Sequence, residues 1–169
     1  MPRLLAGLLL VATASWAAVI LAAPRALTTD GPARVAAAFT YLGAGYICHQ
    51  RPERSFHLGG RQLPVCARCT GLYLAAPFGL AGVMLLMRRR GGADDRAYRR
   101  WRVAVAAAAV PTVISVGLEW FGGPGLSSNI SRAVTALPLG ATLAALLGAA
   151  ILGHVGPSDT LAFTAPRGD

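Results

Sequence analysis

Four long apolar runs, separated by short polar stretches, dominate the chain. Residues 4–23, LLAGLLLVATASWAAVILAA, are twenty uncharged positions, the length that crosses about 30 Å of hydrocarbon as a helix. Runs of similar character cover 66–87, 103–122 and 133–153, with Arg68 near the start of the second and Glu119 near the end of the third. They predict four membrane spans, with a kink at Pro111 in the third. A polar connector, 24–34, follows the first run. Residues 35–47 are apolar but too short to span. Val35, Phe39, Leu42 and Tyr46 recur there at i, i+4, i+7 and i+11, a helical stripe that predicts an interfacial or half-inserted helix. Residues 48–65 form a polar loop broken by Pro52, Gly59, Gly60 and Pro64. Residues 123–132 are a turn, and 154–169 a mobile polar tail. The pattern predicts an all-α helical bundle in one membrane domain, 1–153. The first run has a rival reading as a cleaved signal sequence, since Ala22, Ala23 and Ala26 are small. Its length exceeds the usual apolar core of about 7–15 residues, which favours an uncleaved span.

Composition agrees with the pattern. The 169 residues are 54% hydrophobic and 14% charged, against about 25% charged in soluble domains. That excludes a soluble enzyme, which needs polar surface, and disorder, which needs low hydrophobicity. The net charge of +9 comes with arginine and no lysine. These arginines flank the apolar runs, as topology signals do, and this excludes a nucleic-acid partner in favour of the lipid bilayer. Residues 88–102 hold seven Arg and two Asp, so this loop is expected in the cytoplasm. The second span then starts outside, with Cys66 and Cys69 at its outer end. If 35–47 spanned after all, the N-terminus would change sides but the cysteines would not. Arginine beside abundant Ala and Gly reads as a high-GC genome, and the expected location is a bacterial plasma membrane. A protein partner or a homo-oligomer is not legible.

The chemistry is concentrated in 48–69. Cys48-His49, His57 and Cys66-Ala67-Arg68-Cys69 lie within 22 residues. Cys66 and Cys69 share one face at a helix start, where free N–H groups and the helix dipole favour thiolate. Cys48, Cys66 and Cys69 with His49 or His57 make a tetrahedral set suited to zinc; copper(I) and iron–sulfur also suit thiolates. Thr70, not His, follows Cys69, which disfavours haem attachment. A second reading is thiol–disulfide exchange at Cys66 and Cys69, linked to a membrane quinone, although Cys48 lacks the partner that a second pair would supply. The bland reading is a zinc or disulfide staple, and a third class is a structural or assembly subunit. Glu119 lies level with this cluster, followed by Ser127, Ser128, Asn129 and Arg132. An acid at a span is costly and marks function by default. Glu119 is a candidate ligand, proton carrier or salt-bridge post; with Arg68 it is a candidate catalytic residue. Gln50, Arg51, Arg54, Ser55, Asn129 and Arg132 complete the expected polar pocket. The arginines Arg51, Arg54, Arg61 and Arg68 suit an anionic ligand or simply solvate the loop. Trp16, Trp101 and Trp120 fit interface belts. Gly71, Ala75 and Gly79, and Gly140, Ala144 and Gly148, form two rows of small residues at four-residue spacing, which let helices approach closely.

The run CHQRPERSF at 48–56, followed by LPVCARCTGLY at 63–73, resembles a family of small prokaryotic membrane proteins known as domain of unknown function two thousand and eighty-five. The motif residues are Cys48-His49-Gln50, Arg54-Ser55-Phe56 and Cys66 to Gly71 with Tyr73. A weaker match runs through Pro111, Glu119, Ser128, Asn129 and Arg132, so the resemblance covers most of 45–140. Glu119 stands where the family pattern has an aspartate in its third span. The resemblance implies a membrane protein and no particular activity.

Overall fold

The computed structural model describes residues 1–87, 95–123 and 127–155, with the side chains of 95–98 left aside. The expected cytoplasmic arginine stretch at 88–94 and the tail from 156 on lie outside the described residues.

Five helices form where the apolar pattern places them. Helix α1 covers Pro2–Ala26 and α2 covers Pro32–Gly45. Helix α3 covers Ala67–Leu86, α4 Asp95–Gly122 and α5 Asn129–Ile151. Four of them, α1, α3, α4 from Arg99 onward, and α5, are long and apolar enough to cross a membrane. No more than 28% of any span's apolar window is buried inside the chain. Leu8, Phe78, Val113 and Ile130 point outward. So much outward apolar surface is stable only in an apolar surrounding, which lipid provides. Helix α4 starts eight residues before the run at 103 because backbone hydrogen bonding continues past the edge of the apolar stretch; hydropathy marks a span, not a helix end. Prolines 24, 77, 111 and 138 all lie inside helices.

Helix α2 is too short to span, as its sequence predicts. It starts after Gly31, at φ 82°, with Pro32 in its first turn, the position where proline's missing N–H costs nothing. Its stripe of Val35, Phe39, Leu42 and Tyr46 is exposed as one face, while Ala37 and Ala44 are buried on the other.

Helices α3 and α5 form the closest pair. A Cβ added at Gly71 would fall on the carbonyl of Ala133, one at Gly79 on that of Ala141, and one at Gly140 on that of Leu72. The two small-residue rows are therefore the faces that let these backbones touch. Helix α4 packs on α5 and α1 on α3. Thr112 Oγ1 donates to the Thr135 carbonyl at 2.8 Å across the α4–α5 contact. The start of α3, the end of α4 and the start of α5 meet at one end of the bundle.

The polar loop has more structure than its sequence suggests. A short turn of 3-10 helix covers Pro52–Arg54. Strands β1 (His57–Leu58) and β2 (Arg61–Gln62) pair antiparallel, His57 opposite Gln62. Gly59 and Gly60 connect them at φ 60° and 76°, the left-handed backbone that a two-residue hairpin turn requires. The same glycines that read as breakers are the turn of a hairpin, because two-residue strands leave no alternation to recognise.

Candidate functional site

Cys48 is placed by the end of α2. Its N–H donates to the Ala44 carbonyl at 2.9 Å, so it continues the last turn and is 7% exposed. Cys66 is the residue before α3, extended at φ −69° and ψ 164°. Its carbonyl accepts the Thr70 N–H at 2.9 Å, which starts the helix and carries Cys69 onto the same face. Ile20, Ala44, Cys48 and Val65 form a buried cluster, with Trp16, Cys66, Cys69 and Tyr73 against it. Trp16, expected at an interface, also packs here: its ring meets Tyr73 edge to face at 6.0 Å.

The three sulfur atoms lie within 4.8 Å of one another. A tetrahedral zinc with sulfurs at about 2.3 Å holds them roughly 3.8 Å apart, so a small contraction completes the set. Cys66 N–H donates to Cys48 Sγ at 3.1 Å. The Cys66 thiol, one residue before the span, is held down at about 5. The hydrogen bond from the Cys69 thiol does most of this. Burial opposes it, while the Cys69 N–H, the Cys48 side chain and the Arg68 N–H reinforce it. His49 and His57 are outside the sulfur group. His57 is exposed on β1; His49 is exposed too but lines the same cavity as Cys66.

The position of Cys48 depends on Gln50, the residue with φ 47°, a left-handed conformation that a non-glycine residue rarely adopts. Its amide donates to the carbonyls of Tyr41 at 2.7 Å and Pro64 at 2.8 Å. Gln62 Nε2 donates to the Gln50 carbonyl at 2.5 Å and to Ser55 Oγ at 3.1 Å, and the Tyr41 hydroxyl donates to the Gln62 carbonyl. These bonds tie the strand after Cys48 to the strand before Cys66. Gln50→Ala removes two of them and leaves the strained backbone unsupported. It should lower metal affinity by about tenfold or more, the loss typical of outer-shell changes. A chelator competition series reads this; unchanged affinity would show that the sulfurs are placed without Gln50.

Beside the sulfurs lies a charged cluster. Glu119, 8% exposed on α4, accepts from Arg132 Nε at 2.8 Å and Arg68 NH2 at 2.5 Å, both on Oε1. Arg54 approaches Oε2 at 3.8 Å. Arg68 also donates to Ser115 Oγ at 3.2 Å. Arg132, 4% exposed, reaches Asn129 Oδ1 at 2.8 Å, and Asn129 donates to the Ser55 carbonyl at 3.0 Å. Asn129 thus joins α5 to the loop. A cavity of about 240 Å³ opens here, lined by His49, Arg51, Arg54, Cys66, Arg68 and Arg132. Arg61 does not line it. Of the expected pocket residues, Arg51, Arg54 and Arg132 line this cavity with His49, Cys66 and Arg68; Glu119 and Asn129 bind Arg132, and Gln50, Ser55 and His57 are not among the lining residues. Sequence reasoning missed Gln62, Tyr41 and Ser115, and named Tyr73 only as part of the family motif. Ser115 had a signal, since it precedes Glu119 by four residues on one helix face; Gln62 had none.

A family model described as "Predicted membrane protein (DUF2085)" matches residues 48–146. That stretch starts at Cys48 and contains every residue of the cluster and the cavity. An uncharacterized protein of Methanothermobacter thermautotrophicus is 38% identical over 103 residues, which is 60% of this chain and 84% of that protein. An uncharacterized protein of Methanocaldococcus jannaschii is 33% identical over 66 residues, 39% of this chain and 40% of that protein. Both relatives are archaeal, so the bacterial origin read from composition has no support in them. No solved structure matches.

Proposed function

This chain belongs to the DUF2085 family of predicted membrane proteins, and we propose that it binds zinc at the outer face of the membrane through Cys48, Cys66 and Cys69. The observation that carries this reading is the convergence of three sulfurs, from two helix ends joined by a polar loop, to within 4.8 Å. Zinc is favoured over other thiolate-binding metals because an exposed imidazole, His49, stands at the same cavity as a fourth ligand that water or another donor can replace. The outer placement rests on the arginine excess of 88–102. In this reading residues 1–153 are one membrane domain, and Glu119 is the post that holds Arg68 and Arg132 against the site. A metal with an open position would supply Lewis-acid chemistry; the residues around it would orient and hold what approaches.

The test is metal content and free-thiol count on one detergent-purified sample without chelator or reductant. We expect about one zinc per chain, lost in Cys48→Ser as well as in Cys66→Ser. After chelation, the thiols in intact cells should react with a membrane-impermeant maleimide; protection would move the site to the cytoplasm. One observation favours a second reading: the Cys66 and Cys69 sulfurs lie within 4.8 Å of each other at one helix start, as in a dithiol open to oxidation. There the two thiols would form a disulfide, and two electrons and two protons would pass to a quinone. A metal-free sample with one free thiol, falling to none in Cys48→Ser while the Cys66–Cys69 disulfide persists, would replace the zinc reading with this one.

A further inference from the structure

The cavity beside the cysteines carries more positive charge than its own walls neutralise. Arg51 and Arg54 enter it from the loop, Arg68 from α3 and Arg132 from α5. Among the described residues, the carboxylate seen to meet them is Glu119, bound by Arg68, Arg132 and Arg54. Four guanidiniums against one carboxylate leave a surplus of three positive charges. Glu53 is exposed and does not line the cavity. Three thiolates around a divalent ion would together carry a single negative charge, so a surplus remains with the metal in place.

Two of the guanidinium nitrogens, Arg54 Nε and Arg68 Nε, are buried with no hydrogen-bond partner, and a buried donor left unmade is costly. Guanidinium forks suit oxyanions bidentately. A phosphoryl group carries about −1.5 to −2 at pH 7 and three strong acceptor oxygens. That matches the surplus and the number of converging arginines better than a carboxylate, with one charge and two oxygens. The volume of about 240 Å³ lies below the roughly 300–1,000 Å³ of sites for drug-sized ligands, which suits a headgroup or a small phosphate compound. The cavity sits where three spans end, the depth of lipid headgroups, and it is open to solvent at Arg51 and His49.

We propose that this arginine pocket binds a phosphoryl group, supplied either by a phospholipid headgroup or by a soluble phosphate compound, directly beside the Cys66 sulfur. The pocket stands on its arginines and not on the metal, so it holds whether or not zinc is bound.

The test is calorimetry with inorganic phosphate on the full chain in phosphate-free detergent, before and after chelation. Saturable binding at one site is expected in both states. Arg51→Gln, which alters an exposed side chain, should weaken it several-fold, and Arg51→Gln with Arg54→Gln by about tenfold or more, with the melting midpoint unchanged for the single variant. Absence of saturable phosphate binding, or equal affinity in both variants, would overturn the proposal. Binding that vanishes on chelation would also overturn it, since the phosphate would then be a metal ligand only. Displacement of phosphate by a short-chain phosphatidic acid, but not by the matching phosphatidylcholine, would assign the ligand to the bilayer. Displacement by a soluble phosphate monoester, with neither lipid competing, would assign it to solution.

Discussion

Glu119→Ala is expected to destabilise the protein by about 3–5 kcal/mol, the cost of leaving a buried charge without its partner. The carboxylate is the counter-charge that meets Arg68, Arg132 and Arg54 together in the charged cluster. Arg132 is 4% exposed and cannot swing into water, so its charge stays buried. The loss is large not because the pair adds much net stability, but because removing one half strands the other. Glu119→Asp keeps the charge on a shorter arm and should cost less. Arg54→Gln should cost least, since Arg54 is 3.8 Å away with its side chain 34% exposed. Thermal unfolding in detergent, followed by tryptophan fluorescence, reads this order. An unchanged midpoint for Glu119→Ala would show that water reaches the arginines and that the cluster is not buried.

Gly71→Ala is expected to spread α3 from α5 and to disturb the site at the same time. The added Cβ would land on the Ala133 carbonyl, and backbone cannot rotate away as a side chain can. Overpacking of this kind costs about 1–3 kcal/mol, more where backbone must move. The contact adjoins Arg132 on one helix and lies two residues beyond Cys69 on the other. Zinc affinity and the melting midpoint should therefore fall together. Gly79→Ala meets the Ala141 carbonyl one helix segment deeper and should lower the midpoint with little effect on metal. Gly82→Ala meets nothing; it should be neutral or slightly stabilising, because alanine is the better helix former. If Gly71→Ala behaved like Gly82→Ala, the close approach of α3 and α5 would be wrong.

The helices were legible because a membrane span writes itself locally. About twenty apolar residues in a row have one use, and each of the four runs became a helix. The stripe of α2 was legible for a similar reason, since a 3.6-residue repeat needs no distant partner. The cysteines were legible as chemistry because thiols at a helix start share a face whatever the rest of the chain does. The level of Glu119 followed from counting spans, as three helix ends had to lie at one side.

Tertiary structure decided what the chemistry-bearing residues touch. The sequence alone grouped Cys48 with the CxxC and left His49 and His57 equal as the fourth partner. The structure puts Cys48 among the sulfurs, turns His49 to the cavity rim and leaves His57 on an exposed hairpin. That choice depends on the backbone of Gln50 and its bonds to Tyr41 and Pro64, which join residues up to 14 positions apart. Likewise Arg51, Arg54, Arg61 and Arg68 read alike along the chain. Only the packing of α3 and α4 against α5 brings Arg68 to Glu119, with Arg54 3.8 Å from the same carboxylate, while Arg61 stays exposed on β2. Apolar length and helical period are properties of neighbouring residues, so the sequence alone determines them. Charge pairing and metal geometry are properties of distances between side chains that are remote in the chain, and those distances exist only after the helices have packed.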